Sequence, residues 1–179
     1  RTEFGRESDG RVQGMTLLSS FWDVDTSRID REAMRARMEQ LRESGELPQF
    51  GGHAFCSEDL YGTGHSQLGC TSGDPLDNED LTRATMHARL KIPQFLDFFH
   101  REVPGCERIR LNRLAPALGV RESRRVCGLR RFTREDVYGL RSFADAIGHG
   151  IWGVDVHDPE GSGCTTWRAS TRSHARSRT

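Results

Sequence analysis

The sequence predicts an α+β fold, and three observations carry that prediction. A run rich in aliphatic, β-branched and aromatic side chains over residues 12–24 (VQGMTLLSSFWDV) stands directly before a helical pattern. A second helical pattern over residues 79–101 holds the strongest apolar stripe in the chain. The remaining strand-like segments gather in the second half, so strands and helices do not alternate regularly as they do in a parallel sheet. The predicted order is strand, helix, long loop, helix, two strands, short helix, strand.

Each element has a local reason. The first helix spans residues 30–44, where Ala33, Met34, Met38 and Leu41 recur at helical spacing and Gly45 is placed to stop it in a left-handed conformation. Residues 47–77 are dense in Gly, Ser, Asp and His without periodicity, and predict a long loop with at most short strands. In the second helix Leu81, Ala84, Ala88, Ile92, Phe95, Leu96 and Phe99 share one face. Pro93 is expected to kink or divide it, because a mid-helix proline costs about 3 kcal/mol. Pro104 and Gly105 close it. Strands are expected over residues 108–111 and 123–132. A short helix starts at Thr133, whose hydroxyl and the Asp136 carboxylate form a capping box. The last strand is residues 151–157 (IWGVDVH), ended by Asp158 and Pro159.

Composition narrows the function classes. The 26 basic and 26 acidic residues cancel, which removes the long-range field of a nucleic-acid-binding domain. Of the basic residues only Lys91 is lysine, a skew that GC-rich codons explain. The mean hydropathy of −0.66 predicts a modest core. No apolar run approaches the roughly 20 residues that span a bilayer, and no leader-like segment is present. Cys56, Cys70, Cys106, Cys127 and Cys164 lie far apart and are odd in number, which fits reduced thiols in a cytoplasmic protein.

Three constellations carry chemistry. In GVRESRR (residues 119–125) a strand would put Arg121, Ser123 and Arg125 on one face and Glu122 and Arg124 on the other. Guanidinium groups there suit a carboxylate substrate or the charge of a reduced flavin. A structural Arg–Glu network is the equal alternative. In the second, His157 sits between Asp155 and Asp158, so a carboxylate could set its tautomer for proton transfer. A strand-end histidine capped by its neighbours is the favoured alternative. Finally, His53, Cys56, His65 and Cys70 have a loose resemblance to a zinc site, but the inner spacing is short; incidental thiols in a glycine-rich loop are the stronger reading. The stretch GTGHSQLG (residues 62–69) lacks the lysine of a P-loop and reads as loop.

Over residues 72–161 the chain resembles the FAD-dependent oxidoreductase family that includes the flavoprotein component of heterodisulfide reductases. SGDPLDNEDLTRATMHAR (72–89) is similar to the family's acidic lead into a D-L-T-x-A helix. FFHREVPGCERIRLNRLAPALGVRESRRVCG (98–128) resembles V-P-G-F-E, a strand, and G-V-R-E-S-R-R-x-x-G. FTREDVYGLRSFADAIGHGIWGVDVHDPEG (132–161) is similar to L-T-x-x-D-V, F-x-D-A-I and D-I-H-D-P-x-G. Departures are Cys106 in place of phenylalanine, Cys127 after the arginine pair, and Ala144.

The resemblance implies an FAD cofactor and a substrate-side portion of a two-domain, glutathione-reductase-like flavoprotein that transfers hydride or electrons between a small-molecule substrate and flavin. Its substrate and its electron donor or acceptor are unknown. The G-x-G-x-x-G segment that holds a dinucleotide pyrophosphate is absent, so the cofactor-binding residues are unknown, the Rossmann βαβ motif is missing, and the chain alone is expected to be inactive. Relatives carry iron–sulfur clusters, but cysteines no closer than 14 residues supply no cluster motif. Residues 1–161 form the recognisable part. Arg1 is not methionine, which suggests a piece of a longer reading frame. Residues 162–179 lose hydrophobic patterning, are arginine-rich and lack acids, as expected of an aberrant or disordered, frame-shifted tail. A genuine tail would offer a non-enzymatic alternative, nucleic-acid binding through its arginines.

Overall fold

The computed structural model describes residues 1–51, 64–148, 154–161 and 164–167, with only the backbone at residues 65, 154 and 164–167. Its described elements, in order, are β1 (Thr2–Phe4), β2 (Met15–Trp22), a 3-10 turn (Thr26–Arg28), α1 (Arg31–Glu43), β3 (Gly64–Thr71), α2 (Asn78–Glu102), β4 (Arg110–Leu114), β5 (Arg124–Val126), α3 (Arg134–Tyr138), β6 (Val154–His157) and β7 (Cys164–Trp167). The fold is therefore mixed α and β. Its main sheet has the order β3-β2-β4, antiparallel throughout, and β1 pairs β5 and β6 pairs β7 in two small antiparallel ribbons.

β2 lies within the predicted strand and is the centre of the sheet. Met15, Leu17 and Phe21 are fully buried, and the polar Thr16, Ser19 and Ser20 are buried with them. A strand covered on both faces shows no clean alternation. β3 is a correction: eight residues of the expected loop, including most of GTGHSQLG, pair with β2 from Met15↔Thr71 to Phe21↔Gly64. Its glycines serve close approach, because a Cβ on Gly69 would stand 2.8 Å from the Leu17 Cβ. Nothing local in GHSQLGCT announces a strand; its hydrogen-bond partner is some fifty residues upstream in β2.

The helices follow their caps. Asp30 accepts a hydrogen bond from the Ala33 amide at 2.9 Å, and Gly45, at φ +80°, turns the chain so that Glu46 and Leu47 donate to the Leu41 carbonyl. Met34, Met38 and Leu41 are buried, but Ala33 is exposed, so the stripe is narrower than predicted. Asp77 caps α2, accepting from Glu79 and Asp80. α2 runs unbroken through Pro93, against expectation. The proline is exposed, as is Arg89, whose carbonyl loses its helical donor at a solvent-facing position, while Ala88, Ile92, Phe95 and Phe99 hold both halves on one core. Phe99 meets Phe21 edge-to-face at 6.2 Å and Phe95 meets Phe50 at 6.1 Å.

The later strands differ from expectation in extent. β4 begins two residues after the predicted start. β5 keeps three residues of the predicted ten, because its partner β1 is equally short and no core covers the rest: Leu129 and Phe132 are exposed. The Thr133 capping box forms as predicted, with Asp136 N donating to Thr133 Oγ1 at 3.2 Å and Thr133 N to Asp136 Oδ2 at 3.0 Å. β6 holds the last four residues of the predicted final strand; residues 151–153 lie outside the described ones. β7 lies within the predicted tail, of which residues 162–163 and 168–179 lie outside the described ones.

Candidate active site

The site is assembled where β2 begins. Gln13, Gly14 and Thr16 enter the sheet there, and two distant segments meet them. Residues 119–122 arrive first: Thr16 and Gly119 exchange backbone hydrogen bonds at 3.1 and 2.8 Å. This tether leaves Arg121 and Glu122 outside any strand, so the expected alternation of faces across residues 121–125 does not hold; strand pairing starts only at Arg124. Arg121 Nε donates to Thr16 Oγ1 at 3.2 Å. Glu122 accepts from the Gln13 amide at 3.2 Å and pairs with Arg125, the residue predicted to face the opposite way. Arg125 also donates to the Gly5 carbonyl at 2.5 Å. Arg124 is exposed and has no ion pair among the described residues.

β6 and the turn after it form the other wall. The His157 amide donates to Gln13 Oε1 at 2.9 Å, and its side chain is almost wholly buried. Gly14 N donates to the Asp158 carbonyl at 3.3 Å, and the turn at 158–161 closes with Gly161 N on the same carbonyl at 2.9 Å. Gly161 is required here: its φ is +73°, and a Cβ would stand 2.9 Å from Thr71 N. Arg11 and Glu160 add a 2.5 Å ion pair at the rim.

Two sequence candidates thus become one cluster. Asp155 Oδ2 lies 3.1 Å from His157 Nε2 and 3.8 Å from the Arg121 guanidinium. Asp155 Oδ1 is buried and has no hydrogen-bond partner among the described residues. Buried acceptors are rarely left so, and such an atom calls for a partner such as ordered water, an ion or a ligand. Asp155, rather than Asp158, is the carboxylate that sets the imidazole; Asp158 caps its own turn by accepting from Glu160 N at 2.7 Å. Gln13 and Thr16, which hold the two walls together, gave no sequence signal because their partners in the two walls lie more than a hundred positions away.

Among the described residues the thiols do not assemble into a centre. Cys70 is buried, its sulfur 3.6 Å from Thr16 Oγ1, and burial raises its pKa above the ordinary thiol value. Burial pushes the Cys106 thiol up to about 12. His53 and Cys56 lie outside the described residues, as does the side chain of His65, and no group of three or more potential metal ligands occurs among the described residues. A groove of about 960 Å³ runs between Thr71–Gly73 and the outer face of α2, with His87 and Leu90 in its wall. None of Arg121, Glu122, Arg124, Arg125 and His157 lines it.

No curated protein and no solved structure matches the chain. The model of the family described as FAD dependent oxidoreductase matches residues 1–175, a span that takes in both walls of the cluster. By that match over nearly its whole length, the chain belongs to the FAD dependent oxidoreductase family.

Proposed function

We propose that this chain supplies the substrate-side wall of a two-domain, glutathione-reductase-like flavoprotein that passes hydride or electrons between a small-molecule substrate and FAD. The observation that carries this reading is the meeting of Arg121, Asp155 and His157 from segments that are far apart in sequence. Family membership supports a flavin-linked redox role in general.

The described residues fit one end of the cofactor and not the other. A pyrophosphate needs a glycine-rich turn between a strand and a helix N-terminus. The β2–α1 connection carries Asp23, Asp25 and Asp30 instead, and Asp30 already occupies the Ala33 amide at that helix end. An anion is repelled there. At the other end, Arg121 offers a cation that is held by Thr16 and Asp155, suited to an anionic substrate group or to charge gained on reduction.

When bound, FAD supplies the exchange of hydride or electrons. Arg121 orients the anionic partner. Asp155 holds a proton on the His157 imidazole at Nε2 and fixes the ring plane, so that the histidine can deliver or accept a proton in one orientation. Glu122, locked to Gln13 N and Arg125, keeps the 119–125 segment against β2. The test uses the FAD-loaded protein that contains this chain. It is expected to be yellow, and Arg121→Ala is expected to slow flavin reduction by substrate; a correctly folded, colourless product ends the reading.

A further inference from the structure

The chain has a single lysine, and the fold buries it. Lys91 sits on α2 with 4% of its surface exposed, and its ammonium donates to the Cys70 carbonyl at 2.7 Å. No carboxylate pairs with it among the described residues. A buried cation without a counter-charge is costly and persists where the interaction it makes is needed.

The carbonyl it holds has a particular neighbour. Cys70 and Thr71 share the peptide on which Gly161 packs: a Cβ built on Gly161 would stand 3.1 Å from the Cys70 carbonyl carbon and 2.9 Å from the Thr71 nitrogen. Lys91 therefore grips the oxygen of the same peptide group whose carbon and nitrogen leave no room for a side chain on Gly161. Gly161 ends the turn that begins just after His157, and the turn's Asp158 carbonyl accepts from both Gly14 and Gly161. Thr16, paired in register with Cys70, carries Arg121. Displacing the Cys70–Thr71 peptide would move both walls of the site.

We propose that Lys91 is a positioning residue for the Arg121–Asp155–His157 cluster, acting through the Cys70 carbonyl and the packing of Gly161 on the Cys70–Thr71 peptide. Lysine suits the task where arginine does not, because a compact ammonium on an aliphatic stem reaches one carbonyl from within an apolar helix face, and a planar guanidinium would need several acceptors. Burial lowers the Lys91 pKa from the ordinary lysine value. That the cluster is the redox site rests on the reading above; that Lys91 positions it does not.

The experiment compares Lys91→Met, which keeps the stem and removes the donor, with Lys91→Gln, which keeps a neutral donor. Amide hydrogen exchange is measured in the FAD-loaded protein at Gly14, His157 and Gly161, with Ala88 and Phe95 of α2 as internal controls. Loss of a hydrogen bond from a charged donor predicts exchange about tenfold to a hundredfold faster at the three site amides in Lys91→Met. The α2 controls stay unchanged, and Lys91→Gln recovers at least part of the protection. Site amides within about twofold of wild type, or equal acceleration at site and controls, would overturn the proposal. If exchange responds as expected but flavin reduction is indifferent to His157 and Arg121, the positioning stands and the redox assignment of the cluster fails.

Discussion

Arg121 and Asp155, thirty-four positions apart, meet with the guanidinium 3.8 Å from the carboxylate, and the same carboxylate oxygen is 3.1 Å from the ring of His157. A cation and an imidazole share one carboxylate, so that without Asp155 the imidazole loses its Nε2 partner and Arg121 the carboxylate it meets. Substituting Asp155→Asn should therefore slow flavin reduction by substrate about a hundredfold, the lower end of what a positioned acid–base group contributes. His157→Gln should cost a similar factor. The double variant should cost little more than either alone, since groups that act as a unit are not additive. Stopped-flow flavin absorbance checks all three, and independent, multiplying effects would show that the pair does not work together.

The turn behind the cluster can be separated from ordinary glycine strain. Gly161 and Gly45 have nearly the same backbone conformation, at φ +73° and +80°, but a Cβ on Gly45 meets nothing within 4 Å. Gly45→Ala should cost about 1–2 kcal/mol, the backbone term alone. Gly161→Ala should cost clearly more and also weaken flavin reduction, because the Cys70–Thr71 peptide must yield. Denaturant titration of both variants decides; equal costs would show that the close packing at Gly161 is not rigid.

Cys106 predicts a pH dependence at the alkaline end. Its folded thiol, pushed up to about 12 from an ordinary 9.0, binds its proton more tightly than the unfolded chain does. The contribution is fully present below pH 9, and is lost as pH rises from 9 toward 12, because only the unfolded state ionises in that window. Three pK units correspond to a contribution on the order of 4 kcal/mol. Replacing Cys106 by Ala should flatten the stability loss between pH 9 and 11, measured by urea unfolding. Native Cys106 should also resist iodoacetamide at pH 8 and react once unfolded.

Pro93 lies inside α2 and takes no part in the contacts among Arg121, Asp155 and His157. Pro93→Ala restores the donor to the Arg89 carbonyl at an exposed position, and is expected to raise stability, by at most the roughly 3 kcal/mol that an internal proline costs. A rise in Tm with unchanged flavin reduction is the expected result. A fall would mean that the packing of Phe95 and Phe99 requires the proline.

The elements legible in the sequence were those whose causes are local. The stop at Gly45 and the Thr133–Asp136 box are short-range hydrogen-bonding and conformational rules, and both helical stripes record burial within a few turns. The residues of the candidate site were also legible as types: charged groups in GVRESRR, and a histidine between two aspartates. Their arrangement was not. Arg121 and Glu122 leave the strand because Gly119 is tied to Thr16, and Glu122 turns to Arg125 because Gln13 occupies its other side. β3 is a strand because β2 accepts it, not because of its own residues.

What the sequence determined by itself was the set of local segments and, through its motif resemblance, the family to which they belong. The tertiary structure alone decided that Asp155 and not Asp158 serves His157, that Arg121 joins them, and that the single lysine lies beneath the peptide on which their turn rests. The physical reason is range. Caps and amphipathic stripes are settled within about four residues, whereas the cluster exists only where antiparallel pairing and close glycine packing bring residues 13–16, 70–71, 119–122 and 155–161 within hydrogen-bond reach.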